Sequence, residues 1–159
     1  MSGGEGLVVA LVDAPSDEAQ ALVAELDGIL GAEYPPEQRH GLSLAAIFQP
    51  HIRFFVARQG MAPVGCAAVA LFADFAEVKR MYVRDAARGG GAAPALLRRL
   101  EATAREAGLA LLRLETGTRQ FAALRFYERE GFRRCPVFGA YAAMPPHAIV
   151  TSIFMEKPL

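Results

Sequence analysis

The chain has 159 residues, of which 53% are hydrophobic, and a mean hydropathy of +0.22. A chain of this length can bury the core of one domain without help from metals or disulfides. Lysine plus arginine and aspartate plus glutamate number 17 each, so the net charge favours neither a nucleic acid nor an anionic membrane as a partner. Any site for an anion must therefore be local.

Neither export nor membrane insertion is indicated by the sequence. Cys66 and Cys135 are the only cysteines, and we expect both to be reduced thiols in a cytoplasmic protein. The opening MSGGEG lacks a basic region, and the apolar run Leu7 to Val12 is too short for a signal peptide. No stretch approaches the roughly 20 apolar residues of a membrane-spanning helix. The histidines and cysteines show no metal-ligand spacing, so no metal is expected.

The chain up to residue 48 predicts one strand and two helices. The segment GLVVALVD is typical of a strand. Ser16 can cap the helix that follows, in which apolar residues recur at helical spacing until Gly31 ends it. After a break that contains two prolines, a shorter helix is predicted over Leu42 to Phe48.

The rest of the chain predicts six strands and two helices. An antiparallel hairpin turns at Gln59–Gly60, and AEVKRMYV forms a further strand. A helix over Pro94 to Ala107, the strand LALLRLET and a helix through RQFAALRFYERE follow, and GFRR and AIVTSIFMEK close the sheet. The order β-α-α-β-β-β-α-β-α-β-β predicts an α+β fold, mostly antiparallel at first and βαβ-like later.

Three consecutive glycines, Gly89 to Gly91, stand between a predicted strand and a predicted helix. They cost conformational entropy on folding, and either allow a sharp turn or bring backbone N–H groups to an anion at the helix N-terminus. The dinucleotide pattern GxGxxG fails because Pro94 stands where its third glycine belongs, and no Lys-Ser or Lys-Thr completes a P-loop. Arg88, Gly91 and Ala93 instead form the pattern Arg-x-x-Gly-x-Ala.

This pattern resembles the pyrophosphate-binding turn of the GNAT superfamily of acyl-coenzyme A N-acyltransferases. The hairpin, the neighbouring strands and ALRFYEREGFRR resemble that family too, so the likeness covers most of the chain. It implies one N-acetyltransferase domain over residues 1–159, with a core of about 6–158. Its mostly antiparallel, twisted sheet would contain a parallel pair of the fourth and fifth strands and be flanked by helices. The resemblance also implies that acetyl-coenzyme A (acetyl-CoA) is the acyl donor, bound by Met81, Tyr82, Val83, Arg88, Gly89, Gly90, Gly91, Ala92 and Ala93.

The turn departs from the family at one position. Many members carry a basic residue where this chain has Gly90, so Arg88 and Arg84 are the nearby positive charges. The alternative to a role in coenzyme binding is that both are arginines of a solvated loop.

Acetyl transfer to an amine needs a base, because an alkylamine of pKa about 10.4 is protonated at neutral pH. FAEVKRMYV resembles the histone-acetylating branch of the family, which implies that Glu77 is the base. The alternative is that Glu77 is only a carboxylate paired with Lys79 or Arg80, and Glu115 would then be the substitute base. Tyr127 matches the family tyrosine near the coenzyme sulfur, which implies a general acid, the alternative being a core aromatic. Backbone amides of residues 81–83 are implied as donors to the oxyanion.

The acceptor is less defined by the sequence. In the family it lies between the first helices and the late loop, here GAEYPPEQRH and PVFGAYAAMPPH, where Tyr34 and Tyr141 could line it and Glu33 could attract an ammonium. We expect direct attack, in a ternary complex, by a primary amine of a small molecule, amino acid or peptide; a homodimer is compatible with the resemblance. The alternatives are a non-catalytic acyl-CoA sensor and a protein-interaction module on the same fold.

Overall fold

The computed structural model describes residues 6–159; residues 1–5 of the expected domain lie outside the described part. The strands are β1 (Leu7–Val12), β2 (Ile52–Gln59), β3 (Ala62–Leu71), β4 (Ala76–Val83), β5 (Leu111–Gly117), β6 (Arg133–Arg134) and β7 (Ser152–Pro158). The α-helices are α1 (Asp17–Glu33), α2 (Leu44–Ile47), α3 (Ala92–Glu106), α4 (Phe121–Arg129) and α5 (Pro146–Ile149). Short 3₁₀ turns cover Pro36–Gln38, Asp85–Ala87 and Gly139–Ala143.

The seven strands form one sheet in the order β1-β2-β3-β4-β5-β7-β6. Every neighbouring pair is antiparallel except β4 and β5. These two can be parallel because α3 connects them, as a parallel pair requires a crossover. The α+β fold with a single parallel pair is thus confirmed.

Helices cover both faces of the sheet. Because side chains alternate along a strand, β2 sends Phe54 and Val56 to the face that carries α1 and α2, and Phe55 and Ala57 to the face that carries α3. The three side chains Leu96, Leu97 and Leu100 of α3 are fully buried against the second face. No helix in residues 6–159 has the length and apolar character needed to cross a bilayer.

The predicted end of the first helix at Gly31 was wrong. Helix α1 continues to Glu33, and the N–H of Tyr34 donates to the Leu30 carbonyl at 2.9 Å. Gly31 keeps helical backbone angles, and a β-carbon there would lie 3.2 Å from Nη1 of Arg39. The glycine therefore makes room for an arginine beside the helix instead of ending it.

Other boundaries differ from the predictions by a few residues. The predicted strand AIVTSIFMEK begins only at Ser152, because its first two residues belong to α5, which Pro146 opens. Helix α3 begins at Ala92, two residues before Pro94, and α2 covers only Leu44–Ile47.

A tyrosine joins the end of α1 to the end of β5. The buried ring of Tyr34 packs on Gly117, and its Oη accepts a hydrogen bond from the Arg119 N–H at 2.8 Å. A β-carbon at Gly117 would overlap the ring. Only glycine therefore permits this contact.

We predict that Gly117→Ala lowers the free energy of unfolding by about 1–3 kcal/mol, the usual cost of overpacking. Gly28→Ala is the matched control, since Gly28 lies in α1 and no atom lies within 4 Å of its added β-carbon. It should raise that free energy by about 0.5–1 kcal/mol, because alanine favours a helix over glycine. Urea unfolding measures both changes. Equal stability of Gly117→Ala and the parent would contradict the packing of Tyr34.

Candidate active site

Glu77, the predicted base, is buried in β4 and belongs to a triangle of polar side chains. Tyr141 Oη donates to Glu77 Oε2 at 2.6 Å, and Lys79 Nζ lies 3.1 Å from the same oxygen. Lys79 also donates to Tyr141 Oη at 2.7 Å. The other carboxylate oxygen, Oε1, has no hydrogen-bond partner among residues 6–159. It is therefore available to a substrate.

A β-bulge interrupts β4 just after this triangle. Arg80 and Met81 together lie opposite the single residue Ala67 of β3, and Arg80 has a φ of 53°. A bulge bends its strand and increases the local twist. The parallel ladder between β4 and β5 accordingly contains only three pairs and ends at Val78–Leu114. Beyond that pair the two strands separate.

The side chain of Arg80 anchors the bulge to α1. Its guanidinium forms an ion pair with Asp27 and donates to the Val23 carbonyl at 3.4 Å. Gly41 lies against the guanidinium, where a β-carbon would overlap Nη1. Nε of Arg80 is buried without a hydrogen-bond partner among residues 6–159, an arrangement that costs stability.

A cavity lies where β4 and β5 separate, and residues from both faces of the sheet line it. Residues from both strands, from α1, from α4 and from segment 38–41 line it. Its walls include Glu77, Met81, Glu115, Tyr127 and Tyr141. The structure thus brings the predicted base, its substitute and the predicted acid into one cavity.

Glu115 is a second buried carboxylate in this cavity. Ser152 Oγ donates to its Oε2 at 2.6 Å. Burial raises the pKa of Glu115 above its ordinary value, and the Ser152 hydrogen bond and the nearby His40 and Lys79 oppose that shift. A carboxyl group with a raised pKa in a cleft is a candidate for proton transfer.

Tyr127 lies on α4. Its ring packs in the core and also forms part of the cavity wall. The ring contacts the edge of Phe132 at 5.5 Å between centroids, and its hydroxyl has no hydrogen-bond partner among residues 6–159. Burial, with a smaller contribution from the negative charge of Glu115, raises the pKa of Tyr127 above its ordinary value. The phenol is therefore protonated at neutral pH and can donate.

The glycine turn directly precedes α3. Gly89 and Gly91 have φ of 83° and 89°, in the left-handed region that favours glycine, and Gly91 caps the helix. The N–H groups of Gly89, Gly91, Ala92 and Ala93 have no hydrogen-bond partner among residues 6–159. Since the helix dipole is positive at this end, the turn can hold an anion.

The nearby arginines differ in their availability. Arg84 is held by Glu25 of α1, at 2.9 Å from Nε and 2.7 Å from Nη2, whereas Arg88 is 62% exposed and lies 3.1 Å from Asp85. Arg88 is thus the more available cation beside the turn. Of the strand residues before the turn, Met81 and Val83 pack on the face that carries α3, while Tyr82 packs towards α1.

Of the residues expected near the acceptor, some line the cavity and some make structural contacts. Glu33 Oε2 accepts a hydrogen bond from Gln120 Nε2 at 3.3 Å, and His40 Nε2 lies 2.7 Å from the Ala148 carbonyl oxygen. Tyr34 lines the cavity but uses its hydroxyl for Arg119. Within residues 6–159 no group of three or more His, Cys, Asp or Glu is placed to hold a metal ion.

Sequence reasoning missed two features of this site. The bulge at Arg80 has no glycine or proline to mark it. The contact between Glu77 and Tyr141 joins residues 64 apart in the chain, and no local pattern indicates such a pair. Lys79 was considered only as a partner of Glu77, and Tyr141 only as a lining residue.

Comparisons with known proteins match the chain to one family of acetyltransferases. Residues 50–134 match the family model described as an acetyltransferase (GNAT) domain. IAA acetyltransferase from Azospirillum brasilense is 44% identical over 145 residues, which cover 90% of this chain and 92% of that protein.

Solved structures extend the likeness to the whole sheet. A Klebsiella pneumoniae protein assigned as an acyl-CoA N-acyltransferase has a TM-score of 0.75 and 31% identity, with 96% of this chain and 97% of that chain covered. A GNAT family acetyltransferase from Elizabethkingia anophelis, solved with acetyl-CoA bound, shares the fold with a TM-score of 0.69, 17% identity and coverage of 98% and 99%. The present chain therefore belongs to the GNAT superfamily of N-acetyltransferases.

Proposed function

We propose that this enzyme transfers the acetyl group of acetyl-CoA to a primary amine by direct attack in a ternary complex. The observation that carries the proposal is the cavity between β4 and β5, which places Glu77 and Tyr127 on its walls. A base and an acid on the walls of one cavity, lined from both faces of the sheet, suit a single-step transfer between ligands that enter from opposite faces.

The turn before α3 fits the diphosphate of a coenzyme. Four N–H groups there lack partners among residues 6–159. The positive φ values at Gly89 and Gly91 favour glycine, which has no side chain to hinder a ligand. We assign coenzyme binding to this turn, Arg88 to Ala93, and to the strand segment Met81 to Val83. The Elizabethkingia protein, which has the same fold, was solved with acetyl-CoA bound, and this supports acetyl-CoA as the ligand.

When bound, acetyl-CoA supplies an activated acetyl group as a thioester. Glu77 takes the proton of the incoming ammonium on Oε1, while Tyr141 and Lys79 hold Oε2 in place. The amine nitrogen then forms a bond to the acetyl carbon and releases its second proton to solvent as the carbon–sulfur bond breaks. Tyr127 gives its proton to the departing sulfur, and solvent restores the phenol.

This chemistry also needs a hydrogen-bond donor to the oxyanion, and we propose that the edge of β4 beyond Val78 supplies it. Because the ladder to β5 ends there, backbone N–H groups of β4 that face β5 are free of strand pairing. We propose that an amide within Met81 to Val83 stabilises the oxyanion, as oriented backbone donors do in other acyl transfers.

We place the reaction in the cytoplasm. Both cysteines are free thiols, and Cys66 is buried, where burial raises the pKa of its thiol to about 12. Free thiols are typical of proteins from reducing compartments.

The first prediction concerns the turn. Acetyl-CoA at about a hundred times its Kd should stabilise the parent by roughly 2.7 kcal/mol, which a thermal or urea titration measures. Gly91→Val should abolish this stabilisation, because valine is strained at a φ of 89° and the turn that orients the amides would change. Gly108→Val is the matched control, since Gly108 also has a positive φ, 81°, beyond the other end of α3. It should lose stability yet keep the coenzyme effect. No stabilisation of the parent at millimolar acetyl-CoA would contradict the proposal.

The second prediction separates the two carboxylates. Glu77→Gln should lose most activity near pH 7 and recover part of it at high pH, where the acceptor is already deprotonated. Glu115→Gln should retain most activity at both values. The measurement is the pH profile of thiol release by each variant. Loss in Glu115→Gln with unchanged turnover in Glu77→Gln would assign the base to Glu115.

The third prediction concerns the acid. Tyr127→Phe keeps the ring contact with Phe132, and the lost hydroxyl has no partner in residues 6–159, so Tm should change little. The rate of acetyl transfer in a single turnover should fall by about 10²- to 10⁴-fold. A rate within about twofold of the parent would show that Tyr127 is only a core aromatic.

A further inference from the structure

A second cavity, of about 610 Å³, adjoins the first on the side away from Tyr127. The two cavities share Glu77, Lys79 and Tyr141, so the polar triangle stands where they meet. Ligand sites in proteins commonly have volumes of about 300–1,000 Å³. The second cavity is therefore large enough for an acceptor whose amine lies at Glu77.

The polar wall of this cavity presents two opposite charges side by side. Lys79 Nζ and Glu77 Oε2 are 3.1 Å apart, and their side chains are only 14% and 5% exposed. A free α-amino acid carries an ammonium and a carboxylate on one carbon. It can pair its ammonium with Glu77 Oε1, which has no partner within residues 6–159. Its carboxylate can pair with Lys79 in place of the long contact, 3.3 Å, that Lys79 Nζ makes with the His40 carbonyl oxygen.

The net charge of the lining also suits a zwitterion. Arg39 and Lys79 balance Asp74 and Glu77, while His40 is held through Nε2 by the Ala148 carbonyl. A polyamine or a dicarboxylic acid would bring net charge into a lining that is already balanced. A zwitterion leaves the balance unchanged.

The remaining walls are apolar and aromatic. Phe72 and Phe75 lie 5.0 Å apart between centroids, and Leu42 and Met144 complete this part of the lining. Phe72 is 40% exposed, although burying an aromatic ring is favourable. A large apolar side chain placed here would cover it.

We infer that the acceptor is a free α-amino acid with a large apolar or aromatic side chain. This inference rests on the proposed N-acetyltransferase function. Transfer removes the positive charge of the ammonium, because the nitrogen loses two protons and gains the acetyl group to become an amide. The product then has only a carboxylate to offer, and its attraction to Glu77 is lost, which favours release.

The test compares four acceptors with the full chain and acetyl-CoA, by thiol release: L-phenylalanine, L-phenylalaninamide, phenethylamine and glycine. The kcat/KM for L-phenylalanine should exceed that for each of the others by about 10- to 100-fold, because each lacks either the carboxylate or the side chain. Lys79→Gln should reduce the ratio of kcat/KM for L-phenylalanine to kcat/KM for L-phenylalaninamide towards one. A general loss of stability would lower both values and leave their ratio unchanged.

Phe72→Ala should reduce the preference for L-phenylalanine over glycine. Phe121→Ala is its control, since Phe121 is 63% exposed on α4 and lies outside both cavity linings; it should leave the preference unchanged. Equal kcat/KM for L-phenylalanine and phenethylamine, or transfer to other amines only, would overturn the inference while the proposed function stands. Absence of both acetyl-CoA binding and thiol release with any amine would overturn the proposed function itself.

Discussion

The site depends on one extra residue in a strand. Because Arg80 and Met81 share a single partner across the ladder, β4 bends away from β5 after three pairs. Without this bulge the parallel ladder would continue and close the sheet between Glu77 and Tyr127. The strained φ of Arg80 and its unpartnered Nε are costs of keeping the sheet open. Its ion pair with Asp27 and the space left by Gly41 offset part of that cost.

The gap between β4 and β5 separates two groups of site residues, which lie on opposite faces of the sheet. On one face, α3 presents its N-terminus and the glycine turn, and α4 brings Tyr127 to the gap. On the other face, the triangle of Glu77, Lys79 and Tyr141 meets the second cavity. The gap lies between them, which is the basis of our proposal that the coenzyme and the acceptor approach from opposite sides. This placement supports the direct transfer that we propose.

The fold was largely predictable from the sequence, because apolar periodicity and glycine turns are local signals. The turn at Gly89 to Gly91 was recognisable for the same reason, and its positive φ values agree with it. The failures have physical causes: Gly31 stays helical beside Arg39, and the bulge at Arg80 follows from tertiary packing on α1. Tyr141 reaches Glu77 across 64 residues, a contact that only the folded chain creates. The roles of Glu77 and Tyr127 remain predictions that the cavity supports.

The most direct test of this account is a crystal structure of the enzyme with a hydrolysis-resistant acetyl-CoA analogue. The account predicts that the acetyl carbonyl lies in the gap between β4 and β5, beyond the Val78–Leu114 pair, with Tyr127 in hydrogen-bond reach of the atom that replaces sulfur. The diphosphate should contact the N–H groups of Gly89, Gly91, Ala92 and Ala93. An acetyl group outside the gap, or a diphosphate away from the glycine turn, would contradict the account.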